Sequence, residues 1–352
     1  MLEQNRPIHE FTGVARFHAA GYTGSRARAA TGEVLVPEDW DGPGHVETLV
    51  QDGKKSTGSH SRMTASVFFE VAPDAILYRA SNNVGRNSDG TYNFVLYDTL
   101  MPEMERLGIT QMFTSRSTSA PGGNERARAE QFVEENDWFI PFWSAGNDGD
   151  DKANGKLKLA GNVGVAAYSV VNGKAVPKHY SSESEYVDFA APTDIKYRDG
   201  SQIRSGTGTS AAAPYLCGMA ALVQDFFIDR TGHPLKREAL LRFFADHCMD
   251  IGDPGQDDKT GAGAVILPDP SEIDIGKYTD VKQEEVSDVA TYHTLGDVPT
   301  SYRPTIRKLM EAGVLQGHSD PDPDSLEDNV LDVDETYCRV MTTLDRMGVL
   351  PC

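Results

Sequence analysis

The stretch Ser205-Gly206-Thr207-Gly208-Thr209-Ser210-Ala211-Ala212-Ala213-Pro214 gathers residues whose types and order suit chemistry. Glycine, threonine and serine lead straight into an apolar run from Leu216 to Phe227, the pattern of a turn that opens a buried helix at or near Ser210. A serine at a helix start presents its hydroxyl beside backbone N–H groups that have no partner within the helix. Such N–H groups can hold an oxyanion. Ala211 to Ala213 keep the walls slim, so that another backbone can approach. Pro214 is tolerated because first-turn N–H groups lack helical partners anyway. Taken alone, these residues leave a second reading open, in which Thr209 or Ser210 is only an N-cap.

The elements that would position this stretch follow from hydrophobic periodicity. Small and β-branched residues from Ala27 to Leu35 fit a buried strand, introduced by the turn Gly21-Tyr22-Thr23-Gly24-Ser25. Residues 36–58 are polar and turn-rich and read as a surface excursion. Phe94, Leu96, Leu100, Met104 and Leu107 stand at near-helical spacing, which predicts a helix covering a sheet; Ile109–Ser115 then reads as a strand. A helix is expected from about Asn124 to Asn136, with Ala127, Ala129, Phe132 and Val133 on its inner side. Trp138 to Trp143 form an apolar strand running directly into Ser144-Ala145-Gly146-Asn147-Asp148-Gly149, whose end also reads as a plain turn. Ala160–Ala167 is a further small-residue strand, and His233 to Phe244 supplies another helix.

Several of these strings resemble the subtilisin-like serine proteases, the subtilases. Gly208-Thr209-Ser210-Ala211-Ala212-Ala213-Pro214 resembles the family's nucleophile motif G-T-S-x-A-x-P, and Ser144-Ala145-Gly146-Asn147 its oxyanion segment. Gly58 to Ser66 is similar to the segment H-G-T-H-V-A-G: the first histidine, His60, is kept, while Ser61, Arg62 and Met63 replace the glycine, threonine and second histidine. Val71-Ala72-Pro73-Asp74-Ala75-Ile76-Leu77-Tyr78 resembles the family's V-A-P-x-A-x-L-Y at the expected distance behind it. Tyr186 to Pro192 and Asp250-Ile251-Gly252 through Gly263 resemble the strand before the nucleophile and the closing segment. Laying Thr23-Gly24 on the family's first turn puts Glu33 where the family carries its catalytic aspartate, a departure of one methylene. Glu33 also reads as an ordinary strand-end charge. A register with Val14–Gly21 as the strand would put His18 there instead, although a histidine orients another histidine less well than a carboxylate does.

The resemblance runs from about Gly13 to Leu267 and implies an α/β fold: three layers, with a mostly parallel sheet flanked by helices. It implies a serine endopeptidase in which Ser210 is the nucleophile, His60 the general base, Glu33 its orienting carboxylate and Asn147 an oxyanion donor. Substrate contacts are implied for Ser115, Arg116 and Ser117 and for Ser144, Ala145 and Gly146. A catalytically silent, subtilisin-like binding or scaffold protein is the rival, supported by Glu33 and the eroded His60 segment. No cofactor is required by this reading. Asp320, Asp322 and Asp324 alternate as in a calcium loop, but the glycine and terminal glutamate spacings do not fit, so a structural calcium has no clear motif.

With 53 acidic against 33 basic side chains the net charge is −20, which argues against phosphate-backbone binding and leaves protein or peptide as the partner class. Four scattered cysteines make neither a zinc site nor a disulfide framework. No signal-type apolar core opens the chain and no membrane span stands out, so a cytoplasmic location is expected; no folding prosegment is recognisable. The organisation expected is a catalytic domain over 1–267, an acidic, proline-containing linker over 268–300 and a small helical module over 301–352. In that module Tyr302, Ile306, Leu309 and Met310 predict one helix, and Tyr337, Val340, Met341, Leu344 and Met347 a second beginning near Asp334. The tail is loosely similar to a surface-layer-homology-type module, which implies cell-wall or surface contact after release; a helical tail docked on the protease fits the same residues.

Overall fold

The structure is a computed structural model that describes residues 1–33, 40–49, 58–79, 101–115, 131, 133–149, 157, 161–279, 291–292, 298, 303–311 and 333–334. It divides into one unit over Met1–Thr279 and another over Asp280–Cys352.

In the first unit, strands β1 (Arg28–Thr31), β2 (His45–Thr48), β3 (Ile76–Arg79), β4 (Gln111–Thr114), β5 (Ile140–Ser144), β6 (Val163–Val171), β7 (Lys174–Pro177), β8 (Phe189–Pro192), β11 (Cys248–Met249) and β12 (Ala264–Val265) form one sheet. Its order is β11-β12-β8-β6-β5-β4-β1-β3-β2, with β7 hairpinned onto β6. From β8 through β2 neighbouring strands on that path run parallel. Parallel strands covered on both faces read as continuous apolar runs, and β4, β5 and β8 are buried at every position. The α/β architecture expected from the sequence is the one observed.

Connections run to one side of β1 through β2 and β3, and to the other through β4, β5, β6 and β8. The carboxyl ends of β1 and β4 therefore flank the point where the winding reverses, where an open α/β sheet leaves a crevice. The lead into β1 is fixed from below. Asp225, fully buried, accepts the backbone N–H groups of Thr23, Gly24, Ser25 and Arg26 and pairs with the Arg26 guanidinium at 3.0 Å.

Asp225 belongs to α5 (Thr209–Thr231), the central helix, which follows α1 (Arg6–Thr12), α2 (Val14–Ala19), α3 (Ser59–Val71) and α4 (Met101–Arg106) in the chain. It is largely apolar because it is buried all round, from Ala211 to Phe227. Among the described residues it is the one helix long and apolar enough to cross a bilayer, and that window is 94% buried within the fold. Each large apolar side chain buried this way contributes about 1.5–3 kcal/mol. α3 packs closely on α5: a Cβ on Gly218 would stand 2.7 Å from Val71 Cβ and 3.2 Å from the Phe68 carbonyl oxygen. Helix α6 (Arg237–Asp246) overlaps the helix expected from His233 to Phe244, starting later and ending at Asp246.

In the first unit the structure corrects three expectations. The excursion over 36–58 contains an edge strand, β2, parallel to β3; its side chains are only half-buried or exposed, so its polar composition concealed it. Val14–Ala19 is helical, which removes the register that placed His18 in the site; the His18 ring meets the Val71 carbonyl at 2.7 Å instead. Residues 268–279 do not behave as a linker, since Pro270–Glu272 and α7 (Gly276–Thr279) belong to the first unit and Tyr278 is buried against Phe227 and Phe243.

In the second unit, β13 (Thr291–Tyr292) pairs antiparallel with β14 (Val333–Asp334), and α8 (Arg303–Glu311) buries Thr305, Ile306 and Leu309. The first expected tail helix is present. Around Asp334, where the second was expected to begin, the chain is paired as a strand, and Tyr337–Met347 lie outside the described residues. So does the Asp320–Asp324 loop.

One half-buried carboxylate gives the first unit a pH dependence. Asp188, just before β8, accepts the Gly164 N–H at 2.7 Å, yet burial pushes its pKa up to about 6. A pKa raised above the unfolded value means that the folded chain holds the proton more tightly. Its contribution is therefore fully present below about pH 4 and lost as pH rises through about 6. Asp188→Asn keeps an acceptor for Gly164 without the charge. It is expected to exceed the wild type in stability by roughly 3 kcal/mol at pH 8, two pKa units at about 1.4 each, and to match it near pH 3.5. Thermal unfolding at both pH values checks this; a difference independent of pH would contradict it.

Candidate active site

Four expected residues meet at the carboxyl ends of β1, β4 and β5 and the amino ends of α3 and α5. Glu33 lies two residues beyond β1 and is only 2% exposed. His60 occupies the first turn of α3, with its side chain 46% exposed. Glu33 Oε2 stands 3.0 Å from His60 Nδ1, and Oε1 accepts the Ser115 N–H at 2.6 Å. An ionised carboxylate only accepts, so this contact places the imidazole proton on Nδ1 and a lone pair on Nε2.

Ser210 is the second residue of α5. Gly208 enters the helix at φ +83°, a left-handed conformation, and a Cβ there would stand 3.0 Å from Asn147 Oδ1. The Gly208 N–H donates to the Tyr180 hydroxyl at 3.2 Å, and its carbonyl accepts from Thr193 Oγ1 at 3.0 Å. Ser115 and Ser210 are tied reciprocally: Ser115 Oγ donates to the Ser210 carbonyl at 3.0 Å and Ser210 Oγ to the Ser115 carbonyl at 3.3 Å.

Asn147 follows β5 and is exposed. Its Oδ1 accepts the Thr209 N–H at 2.9 Å and lies 3.1 Å from Thr209 Oγ1, so its amide N–H₂ is the end left to face outward. Thr209 Oγ1 also accepts the Gly146 N–H at 3.2 Å and lies 3.1 Å from the Gly146 carbonyl. Sequence reasoning treated Thr209 only as a possible helix cap; in the fold it aligns the Gly146–Asn147 loop on α5. Its position inside the serine motif was the available signal.

His60, Asn147 and Ser210 line one cavity of about 680 Å³, with Met63, Tyr197 and Arg204 among its other walls. Tyr197 and Arg204 come from β9 (Ile195–Asp199) and β10 (Gln202–Gly206), an antiparallel hairpin that runs directly into the α5 turn. Ser115, Ser144, Ala145 and Gly146 are buried behind the site and do not line this cavity. Arg116 and Ser117 lie outside the described residues. Among the described residues no group of three or more His, Cys, Asp or Glu side chains is placed to hold a metal ion.

A model of the subtilase family matches residues 75–263, just over half of the chain. That span includes Asn147 and Ser210 and excludes Glu33 and His60. No curated protein matches the sequence. Among solved structures, the fold is similar to that of a lanthipeptide protease, with a TM-score of 0.60 at 18% identity over 75% of this chain and 94% of that one. It is similar to the prenylagaramide maturation protease PagA, with a TM-score of 0.59 at 17% identity over 76% and 98% of the two chains. It also resembles fervidolysin from Fervidobacterium pennivorans, a keratinolytic enzyme related to subtilisin, with a TM-score of 0.60 at 19% identity over 74% and 44%.

Proposed function

Because the chain belongs to the subtilase family of serine-type peptidases, we propose that it is an endopeptidase working through Ser210, His60 and Glu33, with Asn147 in its oxyanion hole. The observation that carries the reading is the 3.0 Å contact between His60 Nδ1 and buried Glu33, with His60 and Ser210 walls of one cavity. Ser210 Oγ turns from the Ser115 carbonyl toward His60, which takes its proton on Nε2. The oxygen then attacks the scissile carbonyl carbon. The charge that develops on the carbonyl oxygen is met by the Asn147 N–H₂ and the Ser210 N–H. His60, now an imidazolium beside the Glu33 carboxylate, gives the proton to the leaving nitrogen as the C–N bond breaks. Water, deprotonated by His60, hydrolyses the ester on Ser210 by the same steps. Protein or peptide is the substrate class. A fluorophosphonate probe is expected to label the protein once, and mass spectrometry of the digest to place the adduct on Ser210. Labelling elsewhere, or none, would refute the assignment.

Asn147→Ala removes the outward N–H₂ and the acceptor of Thr209 together. It is expected to lower kcat on the order of 10²–10³ with little change in KM, the loss known for the oxyanion asparagine of subtilisin, a member of the same family. A change confined to KM would mean that Asn147 serves ground-state binding.

A further inference from the structure

We infer that Arg204 makes the cavity selective for substrates with a carboxylate side chain shortly after the scissile bond, an inference that rests on the serine-peptidase reading above. His60 hands its proton to the leaving nitrogen, so the departing segment must lie on the His60 side of Ser210. The cavity extends to that side: besides Asn147, Tyr180 and the Ser205–Ser210 turn, its walls include Ser59, His60 and Met63 in the first turns of α3, and Tyr197 and Arg204 of the β9–β10 hairpin. The residues expected to hold the acyl side, Ser115 and Ser144–Gly146, do not line it.

Within the described lining Arg204 is the one permanent charge, and no carboxylate faces the space. Its guanidinium is aimed by two contacts: Nε meets Asp199 Oδ2 at 2.8 Å, and Nη2 donates to Gln202 Oε1 at 3.3 Å. These occupy two of its five N–H groups, and the side chain remains 52% exposed. Asp199 is not among the lining residues and is also approached by Arg62 Nε at 3.6 Å, so its charge is shared between two arginines. Arg62 is paired in turn with Asp41 outside the cavity. The Tyr197 hydroxyl has its pKa raised by burial and by the Asp199 charge, so it stays a neutral neighbour. The chain as a whole carries −20 and repels acidic peptides at long range. A preference for a carboxylate therefore calls for a local cation, and among the described lining residues that cation is Arg204.

The test compares three peptides identical up to the scissile bond, followed by a Glu-, Gln- or Lys-bearing segment. Wild type is expected to favour Glu over Gln in kcat/KM about three- to fivefold, the scale of a partly exposed ion pair, and to disfavour Lys. Arg204→Gln is expected to bring the Glu/Gln ratio to about one, and Arg204→Glu to invert it. The ratio is taken within each variant, so a general loss of activity cancels. A wild-type ratio at or below one, or a ratio unchanged in Arg204→Gln, would overturn the inference. Should the variants fail to fold, wild type alone decides through acyl transfer from an ester substrate to added dipeptide amides: Glu amides must intercept the acyl-enzyme faster than Gln amides, and equal interception refutes the role of Arg204. Failure to cut the Gln peptide together with absent fluorophosphonate labelling would instead strike the peptidase reading, and this inference with it.

Discussion

Ser210→Ala is expected to remove peptide hydrolysis almost completely, on the order of 10⁶ in kcat, the loss established for the same change in subtilisin, a member of this family. The fold has little reason to change. Ser210 Oγ makes one hydrogen bond, to the Ser115 carbonyl at 3.3 Å, worth about 0.5–1.5 kcal/mol at most. Alanine is the best helix former for the second position of α5, and Ala211–Ala213 already continue the helix with the same side chain. The reciprocal bond from Ser115 Oγ goes to the Ser210 carbonyl and survives the change. The variant should therefore keep its circular dichroism spectrum and its melting temperature within a few degrees, while fluorophosphonate labelling disappears. Groups that act as a unit are not additive. Adding His60→Ala to Ser210→Ala should thus cost almost nothing further in kcat. Hydrolysis at a tenth of the wild-type rate by the purified single variant would transfer the nucleophile's role to another residue.

The serine and asparagine motifs were legible because each is a backbone solution as well as a side-chain choice. Gly208 must accept a left-handed φ and leave room for Asn147, and Ala211–Ala213 must fit a helix buried on every side. Such demands restrict many neighbouring residues at once and leave a readable string. β2 left none. An edge strand with half-exposed side chains tolerates polar residues, and its pairing with β3 is made by main-chain groups that composition does not report. The placement of Thr209 under the Gly146–Asn147 loop depends on a partner more than sixty residues away, so its hydroxyl read locally as a helix cap. Arg204 was silent for a different reason. An exposed arginine in a polar strand looks like any solvated charge until β9 folds back and Asp199 aims it. His60 fell between these cases: its segment had lost most of the expected string, and the Val71–Tyr78 turn and strand behind it carried the identification.

Glu33→Gln is expected to lower kcat/KM by about 10⁴, and the reason lies in what surrounds the carboxylate. Both neighbours of Glu33 are donors: the Ser115 N–H faces Oε1 at 2.6 Å and the His60 Nδ1–H faces Oε2 at 3.0 Å. A glutamine has one oxygen and one N–H₂. The backbone N–H of Ser115 cannot change, so the oxygen goes to it and the N–H₂ turns to His60. The imidazole must then present a lone pair at Nδ1 and carry its proton on Nε2, the wrong tautomer for taking a proton from Ser210. The charge that stabilised the imidazolium is lost as well, so the acidic limb of the kcat/KM profile should move to lower pH in whatever activity remains. Glu33→Asp separates charge from reach. The backbone there cannot easily advance: the Gly32 N–H is bonded to the Phe113 carbonyl at 3.0 Å, the Glu33 N–H to Thr31 Oγ1 at 3.2 Å, and a Cβ on Gly32 would meet Thr114 Oγ1 at 2.3 Å. An aspartate therefore falls one methylene short of His60, Ser115 or both. A misplacement of about 1 Å costs on the order of 10² in rate, so Glu33→Asp should sit between wild type and Glu33→Gln. Steady-state kinetics of both variants, with folding checked by circular dichroism, decide the matter. Aspartate as active as glutamate would mean that the backbone follows the shorter side chain, and full activity in Glu33→Gln would remove Glu33 from the catalytic machinery.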